Sequence, residues 1–153
     1  MLEVGNGFAV MGDWDTSPVP VDRIVIRMPP LPVGGYGIWN KTTQMCIAAL
    51  EREVQPGMSV LDFGTGSGIL AMVAHHLGAA PVYATEIDPA MIEYAGKVWE
   101  LNQCPVQLVS GELPAVDLCV ANIGDQFWDQ RHTVKATRII NISNEGDEVV
   151  INA

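Results

Sequence analysis

The sequence predicts an α/β domain: an open, mostly parallel twisted sheet with helices on both faces, abbreviated at its carboxyl-terminal end. Two observations predict it. From Ser59 onward, short apolar runs suited to buried strands alternate with segments of helical period. A glycine-rich turn, Asp62-Phe63-Gly64-Thr65-Gly66-Ser67-Gly68, lies between the first of those strands and the helix after it. Strands and helices alternating at this spacing call for a parallel sheet with right-handed crossovers. At 153 residues a single domain over 1–153 is expected. Within it, 1–40 supplies an amino-terminal strand and a lid-like loop, 41–123 the core, and 124–153 a shortened helix and strands.

The elements follow in chain order. Residues 1–20, rich in Gly, Asp and Pro, read as irregular, with a short strand around Phe8–Met11. Val21–Arg27 alternates Ile and Val with polar residues, as a strand does. Met28–Asn40 carries three prolines and three glycines and reads as a loop. Its length, and its Tyr36 and Trp39, suit a lid or binding loop. Asn40 caps a helix over Lys41–Glu53, with Met45, Ala48, Ala49 and Leu50 on one face and Gln55-Pro56-Gly57 beyond its end. Val60–Phe63 is a buried strand, Ile69–Leu77 a helix closed by Gly78, and Pro81–Glu86 a second strand. Asp88-Pro89 opens another helix whose buried stripe is Ile92, Ala95, Val98 and Trp99. Val106–Val109 and Val116–Ala121 are further strands. Phe127–Thr137 has a helical pattern, and Arg138–Ser143 and Glu148–Asn152 read as two strands around the turn Asn144-Glu145-Gly146-Asp147.

Composition narrows the function classes. The chain is 48% hydrophobic and 17% charged, which suits a buried core. No run is long and apolar enough to span a membrane, and no basic stretch leads into an apolar one at the amino terminus, so a cytoplasmic location is expected. Cys46, Cys104 and Cys119 have apolar neighbours and no Cys-x-x-Cys spacing, so each reads as a small buried hydrophobe. His75-His76 diverge on a helix and lack partners at ligand spacing, so no metal site is expected. The sequons at Asn40 and Asn141 read as chance matches. A net charge of −10 disfavours extensive nucleic-acid contact and suits a small molecule or a basic protein. Arg131, Lys135 and Arg138, beside His132, read as a solvated helix face.

A strand, glycine loop and helix form a general cradle for anions and nucleotides, because glycines let backbone N–H groups approach the ligand at a helix amino terminus. The spacing discriminates further. From Gly64 a Gly-x-Gly-x-x-Gly pattern fails at Ile69. From Gly66 it passes through Gly68 to Ala71 and fits a relaxed dinucleotide fingerprint, so NAD stays open on spacing alone. A phosphate-binding P-loop is excluded, since no Gly-Lys-Ser/Thr follows. Asp62, just before the loop, is placed to fix its amides. Glu86, ending the next strand, offers two oxygens to the paired hydroxyls of a ribose, whereas Asp88 reads as a helix cap.

Val60-Leu61-Asp62-Phe63-Gly64-Thr65-Gly66-Ser67-Gly68-Ile69-Leu70-Ala71 resembles motif I of Rossmann-like class I methyltransferases, and among them the bacterial PrmA group, which methylates amines of a large-subunit ribosomal protein. Four more blocks carry the likeness: Gly35-Tyr36-Gly37 with Thr42-Thr43; Leu77-Gly78-Ala79 leading to Glu86-Ile87-Asp88-Pro89; Asn102; and Asp117-Leu118-Cys119-Val120-Ala121-Asn122-Ile123. The resemblance implies S-adenosyl-L-methionine as cofactor, contacted by Thr43, Gly64, Glu86 and Asn122, with Gly66 and Gly68 completing the loop and Gly111-Glu112 near the adenine. It implies methyl transfer to an amine, with the Asn122 side-chain oxygen and the neighbouring carbonyl orienting the acceptor or taking its proton.

This sequence departs from that group in three respects. The group's His-Pro before the paired threonines is Asn40-Lys41 here, the acid is Glu86 instead of Asp, and the chain is short at both ends. The group's amino-terminal substrate-gripping domain is not in this sequence, and residues 123–153 are too few for its usual remaining helices and strands. Activity on that ribosomal protein is therefore not expected, and a shortened sheet edge invites pairing with a second subunit. Two alternatives accompany the methyltransferase reading: a non-catalytic cofactor-binding or regulatory protein derived from a methyltransferase, and a nicotinamide oxidoreductase, which lacks a Tyr-x-x-x-Lys proton donor here.

Overall fold

The computed structural model describes residues 1–31 and 40–152. The lid-like loop, with Gly35-Tyr36-Gly37 and Trp39, lies outside the described residues. Six strands form the main sheet: β4 (Val60–Phe63), β5 (Val82–Thr85), β6 (Val106–Leu108), β7 (Ala115–Ala121), β8 (Lys135–Ile142) and β9 (Glu148–Asn152), in the spatial order β6-β5-β4-β7-β8-β9. Neighbours from β6 to β8 pair in parallel, and β9 returns antiparallel along β8. The order reverses between β5 and β7 on either side of β4. That switch point is where an open parallel sheet leaves a crevice beyond its strand carboxyl ends.

The helices stand where capping and burial put them. Helix α1 (Lys41–Glu53) starts at Asn40, whose side chain accepts from the Thr42 N–H at 3.0 Å. Its inner face is Thr43, Cys46, Ile47, Ala49 and Leu50, while Ala48 is exposed and Met45 half-buried, so the expected stripe is rotated. Helix α2 (Ile69–His76) begins at Gly68 (φ 84°) and buries every residue from Ile69 to Ala74. Helix α3 (Pro89–Leu101) is capped by Asp88 and buries Met91, Tyr94, Ala95, Val98 and Trp99. Ile92, expected inside, is only half-buried, because Met91 and Tyr94 complete the 3–4 spacing instead.

Helices α1, α2 and α3 share one core with Val60, Val82, Ala84, Leu118, Val120, Ile140 and Ile142 of the sheet. The opposite face is covered around Phe127 of the four-residue helix α4 (Phe127–Gln130), which meets Phe63 edge-on with ring centroids 5.6 Å apart. At the amino end, β1 (Leu2–Val4), β2 (Phe8–Gly12) and β3 (Ile24–Met28) make a separate three-stranded sheet, β1 antiparallel and β3 parallel to β2. Strand β1 was not expected. The small sheet is tied to α3 by Asn102, which accepts from the Arg27 N–H and donates to the Arg27 carbonyl, each at 2.8 Å, as a neighbouring strand would.

The segment after β7 corrects the sequence reading. Regular helix ends at Gln130, a single 3-10 turn follows over Arg131–Thr133, and β8 begins at Lys135. Arg131, Lys135 and Arg138 therefore do not share a helix face. Arg131 lies over the Trp128 ring, Lys135 pairs with Glu112 at 2.8 Å, and Arg138 pairs with Glu53 at 3.0 Å. The three cysteines are free and buried, as expected. Among the described residues there is no cluster of three metal-ligating side chains, and no helix is long and apolar enough to cross a membrane.

Candidate functional site

A cleft of about 770 Å³ opens beyond the carboxyl ends of β4, β5 and β7. Its floor is the glycine loop, whose shape depends on positive φ. Gly64 (φ 76°) donates its N–H to Thr85 Oγ1 at 2.9 Å, and Gly66 (φ 55°) donates to Glu86 Oε1 at 2.8 Å. A Cβ on Gly64 would stand 2.5 Å from Ile123 Cγ2, so a side chain there would be both strained and obstructed.

Asp62 lies beneath the loop, fully buried, outside the cleft lining. It was expected to fix the loop's amides. Instead its Oδ2 accepts from the Thr65 hydroxyl at 2.6 Å, and the Gly64 and Gly66 amides go to Thr85 and Glu86. Its Oδ1 has no hydrogen-bond partner of good geometry among the described residues. Burial drives the Asp62 carboxyl up to about 7, partly opposed by the Thr65 hydroxyl and the Ala71 backbone N–H, with the Glu86 charge adding to the rise. Gly68 also lies outside the lining. A Cβ there would meet the Trp99 indole at 2.6 Å, and Trp99 Nε1 donates to the Gly68 carbonyl at 3.0 Å, so this glycine serves close packing of loop on helix.

Glu86 is half-buried at the cleft wall, at the end of β5. Besides Gly66, its carboxylate accepts from the Ile87 and Asp88 amides at 3.0 and 3.1 Å through Oε2. Three donors leave part of its lone-pair capacity open. The methylene by which Glu exceeds Asp lets it end the strand and still reach the loop. Asp88 caps α3 through the Ala90 N–H at 3.0 Å, as its sequence context indicates. Between them Ile87 is 95% exposed and lines the cleft, an apolar surface for a flat ligand group.

Across the cleft, Asn122 Nδ2 donates to Thr43 Oγ1 at 3.0 Å, joining two sequence blocks 79 positions apart beside the glycine loop. Thr43, Gly64, Gly66, Glu86 and Asn122 are thus brought to one cavity. Gly111 joins them, while Glu112 turns to Lys135 and does not line it. Several lining residues were not found from sequence: Thr85, Ile123, Gln126, Gln130, Thr133, Ser143 and Asn144. Thr85 was legible as a hydroxyl at a strand end. The others arrive through tertiary folding and leave no local mark. Glu86 and Asp88 are the only charged side chains among the described lining residues.

The sequence and the fold are similar to those of known proteins. The sequence profile of the family described as Ribosomal protein L11 methyltransferase (PrmA) fits residues 2–127. The chain belongs to that family. It is 39% identical over 128 residues to the ribosomal protein L11 methyltransferase of Paraburkholderia xenovorans, covering 80% of this chain and 41% of that protein. The Bacillus cytotoxicus protein of the same name is 37% identical over 130 residues, with the same coverage. The chain thus spans about 41% of the length of the curated relatives it matches. The crystal structure of a ribosomal protein L11 methylase from Lactobacillus delbrueckii subsp. bulgaricus superposes with a TM-score of 0.78 at 31% identity, over 92% of this chain and 78% of that one. M. capricolum TrmK, solved with S-adenosyl-homocysteine, shares the fold at a TM-score of 0.54 and 16% identity, over 64% of this chain and 50% of that one.

Proposed function

We propose that this chain binds S-adenosyl-L-methionine in the β4–β5–β7 cleft and directs its methyl group to an amine acceptor, in a protein of basic character, in the cytoplasm. The observation that carries the reading is the meeting of Asn122 with Thr43 beside a glycine loop whose next strand leads into the cleft-lining carboxylate of Glu86. Thr43, Gly64, Gly66, Glu86 and Asn122 are the residues that would hold the cofactor, with Asp62 and Gly68 supporting the loop from below. The donor set fits such a group: a carboxylate for paired hydroxyls, an exposed Ile87 for a flat ring, and backbone and amide groups for a methionine end. The acidic surface suits a cationic partner.

When bound, the cofactor would supply an electrophilic methyl group. The chain's own work is alignment and proton handling. Holding acceptor and donor in line converts encounter into an intramolecular event, the largest contribution such a site makes. The amine must react through its lone pair, so it has to arrive neutral. With Nδ2 committed to Thr43, Asn122 keeps its Oδ1 and backbone carbonyl as acceptors for the amine's N–H. Asn122 is therefore the proposed catalytic residue. The cleft half formed by Gln126, Gln130, Thr133 and Ser143 carries no charge, which favours a neutral amine over an ammonium ion.

Calorimetry with S-adenosyl-L-methionine and with NAD tests the cofactor, with micromolar binding of the former expected. Binding of NAD alone would sink the proposal. Incubation with methyl-labelled cofactor and cell extract tests the chemistry: label should reach a protein fraction with the wild type and not with Asn122→Ala. Binding without transfer to any fraction would reduce the chain to a cofactor-binding protein.

A further inference from the structure

The carboxyl-terminal hairpin lies beyond residue 127, where the family profile stops, yet its turn reaches the cleft. The turn is internally fixed: Ser143 N–H donates to the Asp147 carbonyl at 2.9 Å, and Asp147 N–H returns to Ser143 Oγ at 3.0 Å. From it, Asn144 Oδ1 accepts from the Asp125 N–H at 3.3 Å, and Asn144 N–H donates to Asp125 Oδ1 at 3.4 Å. Each bond is long, but the two are reciprocal and close a small ring.

The residues between Asn122 and Asp125 are held from both sides. Ile123 presses on Gly64. Gly124 (φ 64°) holds a left-handed backbone that disfavours a side chain, and Asn144 Oδ1 stands 1.8 Å from where a Cβ would lie. The Gly124 carbonyl accepts from Asn141 Nδ2 at 3.2 Å. Asn141 is fully buried in β8 and its Oδ1 has no hydrogen-bond partner among the described residues. An apolar residue of that size would avoid the desolvation penalty, so what the asparagine contributes is its grip on Gly124. The hairpin is bound to α1 at two levels: Arg138, toward its open end, meets Glu53 at 3.0 Å, and Glu148, directly after the turn, meets Arg52 at 2.6 Å. Helix α1 carries Thr43, the partner of Asn122. The chain of contacts therefore closes on itself: Thr43, Asn122, the loop to Asp125, the hairpin turn, the hairpin strands, and α1 again.

We propose that the β8–β9 turn is a clamp for Asn122, with Asn144 and Asn141 as positioning residues acting through Gly124 and Asp125. The inference rests on Asn122 being a site residue. A hairpin that merely finished the sheet would contribute stability without governing the loop's order or the action of Asn122.

Hydrogen exchange on the full chain separates these cases independently of activity. Asn144→Ala and Asp125→Ala should each speed exchange across 122–126 by about tenfold, as loss of local protection would, with β4 and α2 unchanged. Asp125→Asn keeps the acceptor oxygen and should restore protection to within about twofold of wild type. Unchanged exchange in Asn144→Ala, or acceleration spread evenly over the sheet, would overturn the clamp. A second arm measures cofactor affinity in Asn122→Ala, Asn144→Ala and the double variant. Effects that overlap are expected, and strictly additive ones count against the clamp. Should the wild type bind no S-adenosyl-L-methionine, the functional reading fails, while the exchange arm still decides the clamp.

Discussion

Replacing Glu86 with alanine is the sharpest single perturbation of the site. The carboxylate holds three backbone N–H groups, from Gly66, Ile87 and Asp88, at 2.8–3.1 Å. Hydrogen bonds to a charged group contribute up to about 3 kcal/mol, but this one is half-exposed and water would replace part of what is lost, so a stability loss of about 1–2 kcal/mol is expected. The effect on ligand affinity should be larger than the loosened loop alone explains. If the carboxylate also accepts two ribose hydroxyls, their loss weakens S-adenosyl-L-methionine by about 1–3 kcal/mol, or about 5- to 150-fold in Kd. Calorimetry reads this directly, with denaturant unfolding run alongside to separate stability from affinity. Glu86→Asp refines the result, since its shorter side chain gives up Gly66 while keeping a carboxylate at the strand end. An Asp variant that binds well while the Ala variant does not would assign the affinity to hydroxyl recognition. Wild-type affinity in Glu86→Ala would remove this residue from the site and with it the argument from the strand-end acid.

Two further perturbations probe the scaffold. Asp62 titrates at about 7 in the folded chain against 3.8 unfolded, so folding takes up a proton between those values and stability falls as pH rises through about 7. Asp62→Asn keeps an acceptor for Thr65 and abolishes this dependence. It should therefore match the wild type near pH 4 and exceed it in Tm near pH 8, whereas a constant difference across pH would contradict the buried, partly protonated carboxyl. Asn102→Ala removes the paired bonds to Arg27 and the bond to the Val98 carbonyl, and should cost about 2 kcal/mol in denaturant unfolding. A loss under about 0.5 kcal/mol would mean the small sheet is held by its apolar contacts alone.

Much of the core was legible because the signals were local. Asn40 before Lys41, Gln55-Pro56-Gly57 after Glu53, and Asp88 before Pro89 set helix ends through bonds made within a few residues. The four residues of β4, all buried, could be read from their apolar run apart from Asp62. The misreading at 127–137 has an equally local cause. Arg131, Lys135 and Arg138 fall at helical intervals of four and three, which hides the alternating exposure that begins at Lys135 and makes it a strand. Burial offers no support for a longer helix there, since Phe127 is the only buried residue of α4. The site divides the same way. Glu86, Thr43 and Asn122 were found because each sits in a recognisable block. Asn144 meets Asp125 across 19 positions and Ile123 meets Gly64 across the sheet, so neither contact has a sequence signature.

Helix α2 has no wet side over Ile69–Ala74, and this governs more than packing. A rod sealed all round cannot tilt without opening voids, so the turn leading into it meets every visitor in one shape. A ligand received there would find little ordering entropy left to lose. The rim opposite is assembled from short turns and uncharged side chains, and it meets the socket through the turn that grips the loop after Asn122. One half of the cleft is thus fixed by packing on every side, while the other keeps its shape through hydrogen bonds between turns far apart in the sequence.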